Sequence, residues 1–157
     1  MDNFYKYLTL PIGTVELVAN TRALVQLNFV NEKTNKEKPS EVLNSVTNWL
    51  DDYFSGKKPI INFPVEVYGS TFQNKVWAQL LKIDYGKTIS YKQLAINLGD
   101  VKCIRAAASA NGKNPVPIII PCHRVTASDG SLGGYLGGLH NKKKLLTFEG
   151  VLPKELF

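Results

Sequence analysis

The chain of 157 residues is poor in the side chains that build disulfide frameworks and metal centres. It has two cysteines, Cys103 and Cys122, two histidines, His123 and His140, and a single methionine. Two cysteines cannot staple a small secreted scaffold, and no Cys/His cluster has ligand spacing, so neither a metal nor another cofactor is expected. No apolar run approaches the roughly 20 residues that a membrane-spanning helix requires. The N-terminus, Met1-Asp-Asn-Phe-Tyr-Lys, lacks a charged segment followed by an apolar one. These absences lead to the expectation of a soluble protein with free thiols in a reducing, cytoplasmic setting. With 44% hydrophobic residues, the chain can bury one good core or two small ones packed together.

Acidic residues are scarce in one half only. Residues 1–66 carry a formal charge of −1 and residues 67–157 carry +7, so the whole of the +6 belongs to the second half. A basic half suggests a polyanionic partner, most simply nucleic acid, although basic faces also serve solubility alone.

The first half reads as a small α+β unit. Residues 3–9 and 13–19 alternate apolar and polar, Ala19-Asn20-Thr21-Arg22 makes a turn, and Leu24 to Phe29 reads as a further strand. A polar loop over Asn31–Lys38 follows. Ser40 then caps a helix with Val42, Leu43, Val46, Trp49 and Leu50 at helical spacing, ending near Ser55-Gly56. Nothing in this part looks catalytic. The segment from Gly56 to Pro64 is the expected boundary, giving domains at 1–66 and 67–157.

The second half reads as mostly helical. Ser70-Thr-Phe-Gln73 is a candidate capping box leading a helix with Phe72, Val76, Trp77, Leu80 and Leu81 on one face. Ser90 caps a short helix from Tyr91 to Leu98. Gly99-Asp100 breaks it, and a third helix runs from about Val101 to Asn111. Two short helices around a glycine-containing turn have the helix-turn-helix layout, and an ordinary helical hairpin is the alternative. Arg105-Ala-Ala-Ala-Ser-Ala110 places one long cation at the head of a run of very small residues. Alanine favours helix by propensity, and the same small side chains let a backbone approach a groove closely.

The chemistry concentrates in Pro121-Cys122-His123-Arg124-Val125, at the end of the apolar stretch Asn114-Pro-Val-Pro-Ile-Ile-Ile120. A free thiol has a pKa of about 8.5 and needs a basic or positive neighbour to act as thiolate at neutral pH. A Cys-His pair alone is often just a small buried residue beside a polar one. Here two prolines stiffen the approach, which holds a nucleophile in place.

The stretch Phe72–Gly150, about half of the chain, resembles the O6-alkylguanine-DNA alkyltransferases, also called methylated-DNA–protein-cysteine methyltransferases. The resemblance is carried by Phe72-Gln-Asn-Lys-Val-Trp77, Tyr85-Gly-Lys-Thr-Ile-Ser-Tyr91, Asn114-Pro-Val-Pro117, Pro121-Cys-His-Arg-Val125, Gly134-Tyr135, Gly137-Gly138-Leu139 and Glu149-Gly150. It implies an α+β protein with a small ribonuclease-H-like cap, followed by a helical domain with a winged-helix-like helix-turn-helix. It implies that Cys122 attacks the alkyl carbon on O6 of a guanine and keeps the alkyl group in a single turnover. His123 would act as base through a water, Glu149 would orient that imidazole, Asn114 would brace the turn, and Tyr91 would donate to the departing guanine. Neighbouring side chains on a strand point to opposite faces, so Cys122 and His123 need a bridging water or a helical turn over 122–124.

The resemblance further implies that Arg105 fills the space of a base flipped out of double-stranded DNA, with Ala106, Ala107, Ser109 and Ala110 on the DNA side. Pro117, Val125, Tyr135, Leu136, Gly137 and Gly138 would line the pocket for the flipped base, and Arg124 would tie its segment to the body. Leu136 stands where the family usually has a small residue, and Ala108-Ser109 stand where glycine is commoner. A monomer is expected, nucleoid-associated if prokaryotic. Rival readings are a lesion-binding protein of the same fold that does no chemistry, a helix-turn-helix regulator, and a Cys-His hydrolase. The first lacks a reactive cysteine, and the last needs a glycine-rich oxyanion loop that does not precede Cys122.

Overall fold

A computed structural model describes residues 3–153. The outer limits of the two expected domains, residues 1–2 and 154–157, lie outside the described residues. The chain divides between Val67 and Tyr68 into two units.

The first unit has strands β1 (Phe4–Leu10), β2 (Gly13–Ala19) and β3 (Leu24–Phe29), paired antiparallel in sequence order. The central strand β2 is buried continuously from Val15 to Ala19, so it lacks the two-residue alternation expected of it. Leu24 also bridges to Val65, so residues 64–66 run beside β3. Helix α1 (Glu41–Phe54) starts at Ser40, whose side chain accepts from the Leu43 amide, and buries Leu43, Val46, Trp49, Leu50 and Tyr53. Its polar counterpart is Glu16, which accepts from the Tyr7 hydroxyl at 2.6 Å and from Asn28 and Asn35 at 3.1 Å each.

The second unit opens with α2 (Thr71–Leu80), whose complete capping box of Ser70 and Gln73 contributes about 1 kcal/mol. Val76, Trp77 and Leu80 face the core, while Leu81 lies beyond the helix end and is exposed. Helix α3 (Tyr91–Asn97) is capped by Ser90. The helix expected over 101–111 is divided. Val101–Cys103 form one tight 3-10 turn capped by Asp100, and α4 (Ile104–Gly112) follows. Trp77 ties α2 to α4 by donating its indole N–H to the Ala110 carbonyl at 2.9 Å.

Packing corrects two expectations for α4. Arg105, Ala106 and Ser109 are exposed, but Ala107 and Ala110 are buried in the core. Three-residue spacing puts 107 and 110 on the helix's inner stripe, where only small side chains let α4 settle against α2. They shape the helix's approach to its own domain and not to DNA.

Strands β4 (Ile89–Ser90) and β5 (Val125–Thr126) pair in parallel, with Ile89 opposite Val125. This two-rung ladder brings the start of α3 beside the segment that follows Cys122. Helix α5 (Leu139–Phe148) buries Leu145 and Leu146 and carries Glu149 at its C-terminal cap. No helix among the described residues is long and apolar enough to cross a membrane.

Candidate active site

The approach to the thiol is braced by one side chain. Asn114 Nδ2 donates to the Ile120 carbonyl at 2.7 Å while its Oδ1 accepts from the Val116 amide at 3.0 Å. The loop between them holds Ile118 at φ 74°, among the described residues the one non-glycine residue with positive φ. A β-branched residue in that region costs about 1–3 kcal/mol, which the surrounding buried bonds must offset.

Cys122–Arg124 form one 3-10 turn, closed by the Arg124 amide on the Pro121 carbonyl. The turn leaves both Cys122 and His123 buried, which a strand could not do for neighbours on one side. His123 Nε2 lies 2.6 Å from Glu149 Oε2. A carboxylate only accepts, so Nε2 carries the hydrogen and Nδ1 presents its lone pair. Nδ1 is buried and has no hydrogen-bond partner among the described residues. The imidazole is thus oriented as a base.

Glu149 is held on every side. Arg124 forks onto it through Nε at 2.8 Å and Nη2 at 3.1 Å, and the Gly86 amide adds a bond at 3.1 Å. Arg124 also donates to the Ile83 carbonyl at 2.7 Å, so it anchors the turn to the domain as expected. Burial pushes the His123 pKa below its ordinary value of 6.5, against the opposing pull of Glu149. The carboxylate is therefore balanced by Arg124, and the imidazole rests neutral.

Burial also dominates the thiol, pushing Cys122 up to about 11, while Asn114 and the charge of Lys142 pull the other way. Such a thiol needs the basic neighbour that the sequence reading asked for. The thiol waits protonated, and its proton must leave as the reaction proceeds.

Two residues that sequence reasoning passed over stand in this site. Lys142, wholly buried on α5, donates to the Val125 carbonyl at 2.6 Å and to the Gly134 carbonyl at 3.1 Å. Burial drops its pKa to about 8, opposed by Cys122. Its position three and four residues before Leu145 and Leu146 on the apolar stripe was the readable signal. Asn111, on the inner face of α4, donates to the Cys122 carbonyl at 3.3 Å.

Tyr91, the first residue of α3, is half-buried, and burial together with the Cys122 charge raises its pKa. Lys142 Nζ sits 5.8 Å from its ring centre. Gly133, at φ +72°, packs so closely that a Cβ there would lie 2.8 Å from the Tyr91 ring. Along the following loop Tyr135 is half-buried, Gly137 is intermediate, and Leu136 and Gly138 are exposed, with Leu136 at 66%. Pro117 and Val125 depart from their expected place on the pocket surface. Both are buried in the core, so they back the thiol and offer no surface to a ligand in this conformation.

Residues 71–151 match the family model described as 6-O-methylguanine DNA methyltransferase, DNA binding domain, and residues 3–67 match the ribonuclease-like domain of the same group. The chain belongs to the 6-O-methylguanine DNA methyltransferase family. A methylated-DNA–protein-cysteine methyltransferase of Methanosarcina barkeri is 38% identical over 152 residues, covering 93% of this chain and 96% of that one. The Haemophilus influenzae protein of the same description is 33% identical over 155 residues, covering 94% and 87%. Among solved structures, the Mycobacterium tuberculosis OGT in complex with DNA matches with TM-score 0.85 and 33% identity, covering 96% of this chain and 95% of that one. In the present chain Cys122, His123 and Glu149 are all buried.

Proposed function

We propose that this protein repairs DNA by direct reversal, moving the alkyl group of an O6-alkylguanine onto Cys122 and acting once. The observation that carries the reading is the buried line from Cys122 through His123 to Glu149, with Tyr91 beside the thiol. In the step proposed, Cys122 Sγ forms a bond to the alkyl carbon as the C–O6 bond breaks. The thiol proton passes to His123 Nδ1 through a water, and the departing guanine takes the electron pair with a hydrogen from Tyr91. This is nucleophile, base and orienter in the order of other activated nucleophiles. Lys142 lowers the energy of the developing thiolate, which burial alone would oppose.

The product is a thioether, and water cannot displace a thiolate from it. One chain supplies every group invoked, so a monomer suffices, working in the compartment of the DNA. Arg105 and Ser109, exposed on α4, face the duplex, with Arg105 occupying the space of the extruded base. Repair of O4-alkylthymine is the natural extension. We assign residues 1–66 to the cap and 67–157 to DNA binding and transfer.

The test is intact-protein mass after mixing with an oligonucleotide containing one O6-methylguanine. One methyl mass per chain, on the peptide holding Cys122, is expected, with none for Cys122→Ser. Tight binding without added mass would favour the lesion-binding alternative.

A further inference from the structure

The edge of the Arg124 guanidinium is committed to its neighbours. Nε and Nη2 donate to the Glu149 carboxylate at 2.8 and 3.1 Å, and Nη1 donates to the Ile83 carbonyl at 2.7 Å. A planar guanidinium bonded along its edge still offers two flat faces, which aromatic rings bind. The Arg124 guanidinium carbon lies 5.7 Å from the centre of the Tyr85 ring, within reach of a cation–π contact. The Tyr85 hydroxyl donates to the Phe148 carbonyl, one residue before Glu149, at 3.4 Å.

A turn presents that ring. The Lys87 amide donates to the Asp84 carbonyl at 3.1 Å, and Gly86, at φ +79°, stands third of the four residues, where a type II turn requires positive φ. The same turn sends the Gly86 amide to Glu149 Oε1 at 3.1 Å, and a Cβ on Gly86 would lie 3.2 Å from the Glu149 backbone oxygen. Tyr85 is partly exposed, the Arg124 side chain is 11% exposed, and the Glu149 and His123 side chains are wholly withdrawn. Exposure falls from the ring inward, so the ring stands between the ion pair and water.

We propose that Tyr85 is a positioning residue for alkyl transfer, its ring covering Arg124 so that Glu149 stays aimed at His123. The proposal rests on the alkyl-transfer reading above. Water that reaches an ion pair solvates both charges and weakens their hold on each other. Arg124 fixes the carboxylate oxygen that meets His123 Nε2 at 2.6 Å, so a loosened pair lets that oxygen swing away from the imidazole. The hydroxyl bond to Phe148 is long, which leaves the ring face as the contact that matters. Tyr85 therefore acts at second hand. It keeps water from Arg124, Arg124 holds Glu149, and Glu149 orients the base.

The test compares the full-length protein as wild type, Tyr85→Phe, Tyr85→Leu, Glu149→Gln and Tyr85→Leu combined with Glu149→Gln. Two quantities are read: single-turnover transfer from an O6-methylguanine duplex, and exchange of the His123 Nε2 proton with solvent, followed by proton NMR on the resting protein. Loss of the ring in Tyr85→Leu is expected to slow transfer by about three- to tenfold, the equivalent of one cation–π contact, and to speed the exchange. Tyr85→Phe keeps the ring and should rescue both quantities to within about twofold of wild type. With Glu149 already neutral, adding Tyr85→Leu should slow transfer by less than about twofold, because the ion pair it covers is gone. Losses that multiply in the double variant would mark a merely structural contact and overturn the proposal. Wild-type transfer and exchange in Tyr85→Leu, or equal losses in Tyr85→Phe and Tyr85→Leu, would overturn it too. Tyr85→Met keeps the bulk without the ring and takes the place of Tyr85→Leu if that variant fails to fold. A wild-type protein that transfers nothing would instead overturn the alkyl-transfer reading, and the exchange of the His123 proton would still decide the role of Tyr85.

Discussion

Glu149 meets His123 on one carboxylate oxygen at 2.6 Å with both side chains fully withdrawn from solvent, while Arg124 grips the same carboxylate through two nitrogens. The pairing makes the carboxylate structural and chemical at once. Removing it strands a largely buried guanidinium and leaves the imidazole without its partner.

Glu149→Ala should therefore cost about 3–5 kcal/mol of unfolding free energy, the range for breaking a buried ion pair on one side. Glu149→Gln should cost less, since an amide still bonds His123, yet alkyl transfer should slow because the charge that favours imidazolium is lost. Urea unfolding and single-turnover rates check both. Wild-type rates in Glu149→Gln would remove the carboxylate's charge from the mechanism.

The buried titratable groups give stability a pH dependence of known sign. His123 has its pKa depressed in the folded state, so the unfolded chain binds the extra proton. Stability should fall as pH drops below 6.5, and His123→Asn should lose that part of the slope. Cys122 is the reverse case. The folded chain keeps the proton between 9.0 and about 11, so stability should fall as pH rises through that window, and Cys122→Ser should flatten it. Lys142 opposes it, adding stability as pH rises from about 8 to 10.5. Melting temperatures of wild type and the two single variants against pH separate the contributions.

Gly133→Ala combines a positive φ with a Cβ 2.8 Å from the Tyr91 ring and 2.9 Å from its hydroxyl. Overpacking of this kind costs about 1–3 kcal/mol, and here the side chain displaced is the acid. Transfer should slow more than the melting temperature suggests, while salt-dependent DNA binding stays intact. A rate equal to wild type would show that Tyr91 need not hold its present place.

Arg105→Ala should weaken repair in duplex more than in single strands, since only a duplex needs the space of the flipped base filled. Arg105 is exposed at the start of α4 and free to reach outward. As it also contributes one positive charge, the dependence of affinity on salt should become shallower by about one ion. Equal losses on both substrates would leave Arg105 as a phosphate contact only.

How the sequence relates to these outcomes is clearest at particular residues. The Ser40 and Ser90 caps and the Ser70–Gln73 capping box are local, and each forms where its own few residues dictate. Pro-Cys-His-Arg-Val is likewise a contiguous signal, and with the other motifs between Phe72 and Gly150 it carried the resemblance that implied alkyl transfer. Which faces of α4 look inward was not legible, because a run of alanines has no hydrophobic stripe to read. Packing against Trp77 made that choice, sending Ala107 and Ala110 into the core.

The composition and motifs of the chain placed a cysteine beside a histidine in a basic half, and the family resemblance added Glu149 as the expected partner of that histidine. Only the tertiary structure decided its protonation, because a pKa depends on how completely water is removed and which charges remain near. Cys122 rests as a thiol, His123 as a neutral imidazole, and Lys142 enters as a buried cation from α5, a helix that the sequence reading did not mark. Desolvation is a property of the assembled core. No residue carries it alone.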